Sequence, residues 1–105
     1  MLPSDAMLFH CVYFWLKPGL TPAQREDFQR GVESLATVRH ATRVSIGRPA
    51  ATEARAVVEK GFDCALIIEF PDVAAQNAYQ VDPIHEAFVE RCHGYWQRVQ
   101  VFDSE

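Results

Sequence analysis

Tyr79 and His85 stand six residues apart, with Asp82-Pro83 between them. A hydroxyl donor and an imidazole at that separation can move a proton at a carbonyl compound, the imidazole as base and the phenol as donor. The spacing also carries its own local structure. The residue before a proline is pushed out of the helical region, proline suits the first helical position, and aspartate is a good N-cap. One helix should therefore end near Val81 and another start with Asp82 as cap, Pro83 first and His85 third. The positive end of the helix dipole disfavours an imidazolium there, so His85 is expected neutral and basic near pH 7.

Further side chains fall within reach of this pair. His10 and Cys64 lie on two strands whose alternation places both on one side of a sheet. Phe14 and Phe88 are the apolar residues expected beside them, and with Cys64 they make the candidate substrate-binding set. In a catalytic arrangement His85 removes a proton α to a carbonyl, the Tyr79 hydroxyl holds the base or the developing enolate oxygen, and His10 supplies a further donor. The opposing reading is structural: His85 satisfies backbone groups at a helix entry, and Tyr79 is a core aromatic with a bonded hydroxyl. His10, Cys64 and His85 are also acceptable zinc ligand types, but their spacing matches no zinc pattern, and no metal is expected. His10 and Cys11 cannot join one site, because neighbours on a strand point oppositely. His40, Cys92 and His93 are read as surface or helix-end residues.

The elements that must position these groups can be read in order. Residues 1–6 carry no period and are expected to be frayed. Residues 7–16 form the strongest strand signal, with Phe9, Cys11, Tyr13 and Trp15 on one face and Leu8, His10, Val12 and Phe14 on the other. Thr21-Pro22-Ala23-Gln24 fits a capping box, opening a helix to about Thr37 with Phe28, Val32 and Leu35 on one stripe. A short strand over 43–47 follows, then a loop over 48–61 that could hold a helical turn or a flap. A strand is expected over 62–70, with Phe62, Cys64, Leu66, Ile68 and Phe70 on one face. Asp72 caps the next helix, a short helix from Pro83 to about Arg91 follows, Gly94 breaks it, and a last strand covers 97–103 with Val99 and Val101 together. The order β-α-β-β-α-(α)-β describes the split βαβ, ferredoxin-like arrangement: α+β, one four-stranded antiparallel sheet with helices on one face. The first and third strands are apolar on both faces, so the uncovered face needs a partner. A second copy, sheet against sheet, is the simplest.

Composition limits the alternatives. The chain has 105 residues, enough for a single domain over 7–105. A net charge of −4 with no basic stripe excludes a nucleic-acid or anionic-membrane partner. There is no apolar run long enough to span a bilayer and no signal-peptide pattern. Three cysteines, Cys11, Cys64 and Cys92, without regular spacing argue for free thiols and a cytoplasmic, reducing location.

Four motifs in order resemble one family: His10-x-Val12-x-Phe14-x-x-Lys17, the Gly61-Phe62 step, Tyr79 followed by Asp82-Pro83-Ile84-His85-Glu86-Ala87-Phe88, and the closing Val101-Phe102-Asp103. Together, over about residues 8–103, they resemble the stress-responsive dimeric α/β-barrel (Dabb) family. The resemblance implies a dimeric α+β barrel. It also implies a possible chemistry, that of the family's plant polyketide cyclase. That enzyme closes a linear tetraketide chain by intramolecular aldol condensation without a cofactor. Its histidine base and orienting tyrosine match His85 and Tyr79, and a further pocket histidine matches His10. Two positions depart: Asp82 stands where the family often has histidine before the proline, and Cys64 where the cyclase has a pocket histidine. Three functions follow as expectations: a cofactor-free enzyme acting on a small, partly apolar carbonyl compound, a binding protein with the same pocket, or a stress-associated homodimer.

Overall fold

A computed structural model of the chain describes residues 7–105; the frayed start expected over residues 1–6 lies outside the described residues. Strand β1 (Leu8–Leu16) leads through a turn at Gly19 into helix α1 (Pro22–Ser34) and a 3-10 turn (Leu35–Thr37). Strands β2 (Arg43–Gly47) and β3 (Cys64–Phe70) follow, then α2 (Val73–Gln80), α3 (Pro83–Cys92), a second 3-10 turn (His93–Tyr95) and β4 (Trp96–Ser104). The strands are ordered β2-β3-β1-β4, every neighbour antiparallel. This is the ferredoxin-like α+β fold.

The helix starts form as their sequences dictate. At α1 the Thr21 hydroxyl accepts from the Gln24 N–H at 3.1 Å while the Gln24 side chain accepts from the Thr21 N–H at 2.8 Å, a complete capping box. Asp72 caps α2 by accepting from Ala75 N–H at 2.8 Å, and Asp82 caps α3 by accepting from Ile84 N–H at 2.8 Å, with Pro83 at the first position. The Asp82 carbonyl also takes the Glu86 N–H, so the helix grows directly from the cap.

β1 sits between β3 and β4. Its Leu8, His10, Val12, Phe14 and Leu16 are buried under the helices together with Cys64, Leu66, Ile68 and Phe70 of β3. Phe14 packs edge-on against Phe28 of α1 and Phe88 of α3, and Phe70 lies 5.2 Å from the Tyr79 ring of α2. Arg91 of α3 and the Tyr95 hydroxyl both reach Asp27 of α1, the hydroxyl at 2.8 Å, and so tie the two helices together. The opposite sheet face carries no helix. Cys11, Tyr13 and Trp15 are only partly covered there, and Phe9 and Phe102 are exposed.

Two expectations need correction. Phe62 does not precede Cys64 on the buried face. Pairing with β1 begins at Cys64, opposite Phe14, and the Phe62 ring turns to the open face, 5.0 Å from Tyr13 and 6.4 Å from Trp15. The loop over 48–61, left open between a helical turn and a flap, holds a single turn in which Val58 N–H bonds to Arg55 C=O at 2.9 Å. Cys92 is no surface residue: it is fully buried, at the point where α3 approaches Gly31 of α1.

That approach depends on the missing side chain. A Cβ at position 31 would lie 2.6 Å from Cys92 Sγ and 3.2 Å from Phe88 Cδ1. Gly31→Ala should therefore lose about 1–3 kcal/mol to overpacking, more than the ~1 kcal/mol that alanine gains inside a helix. Urea unfolding of Gly31→Ala against Gly31→Ala/Cys92→Ala should show much of that loss recovered in the double variant. Simple additivity of the two changes would contradict the contact.

Candidate functional site

A cleft of about 150 Å³ lies between the sheet and the α2–α3 corner. His10, Tyr79 and His85 line it together with Gln80, and Phe14 and Phe88 are among its apolar walls. Val12, Leu66, Trp96, Val99 and Val101 complete most of the wall. Charged side chains are absent from this lining.

The α2–α3 corner holds two of the polar groups. Tyr79, the seventh residue of α2, is 1% exposed, and its ring stands 4.5 Å from that of His85. Burial first, and then the Asp82 carboxylate, push its phenol well above the ordinary range, so Tyr79 remains an O–H donor. His85 Nδ1 is 3.2 Å from the Gln80 carbonyl. A carbonyl only accepts, so Nδ1 carries the proton and Nε2 holds the lone pair. Burial, the largest influence, lowers the His85 pKa, and the nearby His10 lowers it further. The Gln80 carbonyl, Glu86 and Asp82 act the other way. The outcome is a neutral imidazole with a fixed tautomer. The helix dipole read from the sequence points in the same direction, but desolvation is the leading cause.

The third polar group is held from across the sheet. β1 and β4 pair so that His10 lies opposite Asp103, and His10 Nδ1 is 2.6 Å from Asp103 Oδ1. The carboxylate accepts, so Nδ1–H donates and Nε2 is left free. The Gln76 amide of α2 sits 3.1 Å from the same Nδ1 and 3.4 Å from Asp103 Oδ2. With Nδ1 already donating, the amide proton belongs to Asp103. The His10 ring meets that of Tyr79 at 6.0 Å, nearly perpendicular. Three rings thus run in sequence, His10, Tyr79, His85, with an orienting acceptor behind each imidazole.

Five of the six side chains singled out from the sequence line this cleft. The sixth, Cys64, does not. It shares the sheet face with His10, but it pairs with Phe14 while His10 pairs with Ile68. Four strand residues separate the two pairings, roughly 13 Å along the strand. Cys64 is buried, and burial followed by the Asp63 charge pushes its thiol up to about 11, so it packs as a small hydrophobe. The same separation rules out a metal shared by His10, Cys64 and His85, and the described residues hold no cluster of three metal-ligating side chains. Asp103, Gln76 and the Gln80 carbonyl are partners of the two imidazoles that the sequence reading missed. Alternation along Val99, Val101 and Asp103 was the available signal, but it becomes specific only once β4 is known to pair with β1.

A second, open concavity of about 560 Å³ lies on the other sheet face, walled by Cys11, Tyr13, Trp15, Phe62 and Phe102. Arg98 lies over the Trp15 ring at 4.2 Å.

The sequence profile described as the stress responsive A/B barrel domain, Dabb, matches residues 8–105. The chain belongs to this family. Solved structures agree on the fold. A Dabb family protein with a ferredoxin-like fold from Mesorhizobium loti superposes with a TM-score of 0.74 at 24% identity, covering 94% of this chain and 95% of the other. A dimeric ferredoxin-like protein of unknown function from Thermobifida fusca gives 0.75 at 17%, covering 96% and 92%. The hydroxynitrile lyase of Passiflora edulis gives 0.77 at 18%, covering 95% and 93%. No curated protein matches the sequence significantly. Among the described residues of this Dabb domain, no helix is long and apolar enough to cross a membrane.

The lowered His85 pKa has a consequence for stability. An unfolded histidine titrates near 6.5. Between that value and the lower folded one, the unfolded state binds more protons, so stability rises with pH. Stability is lost as pH falls through about 6.5, and the loss levels off below the folded value. His85→Gln should flatten part of this decline in urea unfolding followed from pH 7.5 to 5. An unchanged pH slope would show that His85 titrates as if free.

Proposed function

We propose that this Dabb domain is a cofactor-free enzyme of the lyase or cyclase type, making or breaking a carbon–carbon bond beside the carbonyl of a small, uncharged, largely apolar compound. The observation that carries the reading is the fixed tautomer of His85: its Nδ1 is committed to the Gln80 carbonyl, which leaves Nε2 as a neutral base beside the Tyr79 hydroxyl. A base poised near the working pH is the requirement for proton transfer at a carbonyl. Written for a hydroxynitrile, Nε2 takes the hydroxyl proton, the oxygen electron pair forms the C=O, the C–CN bond breaks, and the departing cyanide recovers the proton from His85. The Tyr79 O–H steadies the oxygen as its charge develops. His10, oriented by Asp103, presents its second ring nitrogen to the cleft as an acceptor for a proton of the bound compound. For an aldol-type closure the same base takes a proton from carbon.

The cleft's size and lining favour the smaller of these substrates. Pockets for drug-sized ligands run to roughly 300–1,000 Å³, whereas this one is about 150 Å³. A carboxylate, phosphate or coenzyme A thioester would find no cation in its wall. The likeness in fold to a hydroxynitrile lyase supports the same class. Non-catalytic capture of the same carbonyl compounds is the competing reading.

In an assay that follows aldehyde release from the hydroxynitrile of a small aromatic aldehyde, His85→Ala should lower kcat/KM by roughly 10²–10⁴-fold and Tyr79→Phe by roughly 10²-fold. Both should keep the circular dichroism of the parent. Tight binding of the aldehyde with no turnover by the parent would establish the binding reading instead.

We also infer that the chain works as a homodimer through its open sheet face. Phe9 and Phe102 are exposed there beside the partly covered Tyr13, Trp15 and Phe62, an apolar patch that a twin sheet would bury. Dimeric description of the Thermobifida fusca relative supports it. Phe102→Asp should shift sedimentation from dimer to monomer, and a dimer of unchanged affinity would place the contact elsewhere.

A further inference from the structure

The corner that joins α2 to α3 is anchored by a residue from a different part of the chain. His40 lies in the loop between the first 3-10 turn and β2, and its Nε2 is 3.4 Å from Asp82 Oδ2. Reading it as a surface or helix-end residue misses this contact. The Asp82 side chain is only 9% exposed. One carboxylate oxygen accepts the Ile84 N–H of the α3 cap, and the other faces His40. Asp82 is also the midpoint of the site: its own N–H bonds to the Tyr79 carbonyl at 3.1 Å, and three residues further on α3 carries His85. Whatever holds the Asp82 carboxylate therefore holds both ends of the Tyr79–His85 pair.

We propose that His40 and Asp82 form a positioning pair, in which the imidazole of the β2 loop fixes the carboxylate of the α3 cap and thereby sets the placement and the electrostatics of Tyr79 and His85. This rests on the site described above and adds its control. Asp82 is the one carboxylate that bears on both groups. It favours the protonated form of Tyr79 and of His85. His40, once protonated, offsets part of that field. The other influences on His85 are the Gln80 carbonyl on α2, His10 on β1 and Glu86 on its own helix. His40 forms no hydrogen bond or ion pair with any of these and exerts no direct influence on His85, so a change at position 40 reaches His85 through Asp82.

The arrangement can be tested without turnover. The imidazole titration of His85 is followed by two-dimensional NMR, and the Tyr79 phenol by ultraviolet titration against a Tyr79→Phe background. Asp82→Asn keeps a competent cap, so the thermal midpoint should hold nearly constant while both titrations move to lower pH. His40→Gln removes the offsetting charge and should move the His85 titration the other way, to higher pH. In Asp82→Asn/His40→Gln the His40 change should have no further effect, because its only route is gone. His85 unmoved in both single variants, or equal His40 effects with and without the Asp82 charge, would overturn the pairing. If the shifts appear and no hydroxynitrile or other small carbonyl compound is turned over, the pairing stands and the enzymatic reading falls.

Discussion

The constraint on which this molecule turns is the position of β1. Both of its edges are occupied, by β3 and β4, and both of its faces are apolar. A strand bonded on both sides cannot slip in register without turning its buried residues to the wrong face. His10 is thereby fixed opposite Asp103, and Phe14 is fixed where helices α1 and α3 converge. The helices then have one place to lie, and the α2–α3 corner comes down over His10 from above.

The site is assembled from groups whose neighbours remove their freedom. His85 is turned by a carbonyl, His10 by a carboxylate, and Tyr79 is kept protonated by burial. The cleft wall itself carries no Asp, Glu, Lys or Arg, which suits the neutral reactants proposed above. The latch of Arg91 and Tyr95 on Asp27 serves the same end from outside, since it fixes α3 against α1 and so fixes the wall that Phe88 provides.

Much of this was legible in the chain. The junction of Asp82 and Pro83 states a helix boundary in two residues, because proline constrains its predecessor and aspartate satisfies the new helix. Alternation in β1 and β3 separated two sheet faces. Local rules stop where pairing begins. Phe62 follows the alternation of β3 on paper, yet the strand starts two residues later and the ring takes the other side. Cys64 shares a face with His10, but distance along the strand, which depends on register, removes it from the cleft. His40 has no local signature and Asp103 only the alternation of β4; each reaches the site across sequence separations that only the fold closes.

Val99 and Val101 stand on β4, a border strand with a neighbour on one side alone, and both remain about two-fifths exposed while walling the cleft. A wall built on the margin of a fold is loosely coupled to the interior, so its side chains can be exchanged for bulkier or more polar ones with little repacking behind them. His10 and Tyr79, by contrast, are buried in the interior. Domains of this design can hold their buried polar groups constant while drifting in what the cleft admits, and diversification among their descendants should be concentrated along that rim.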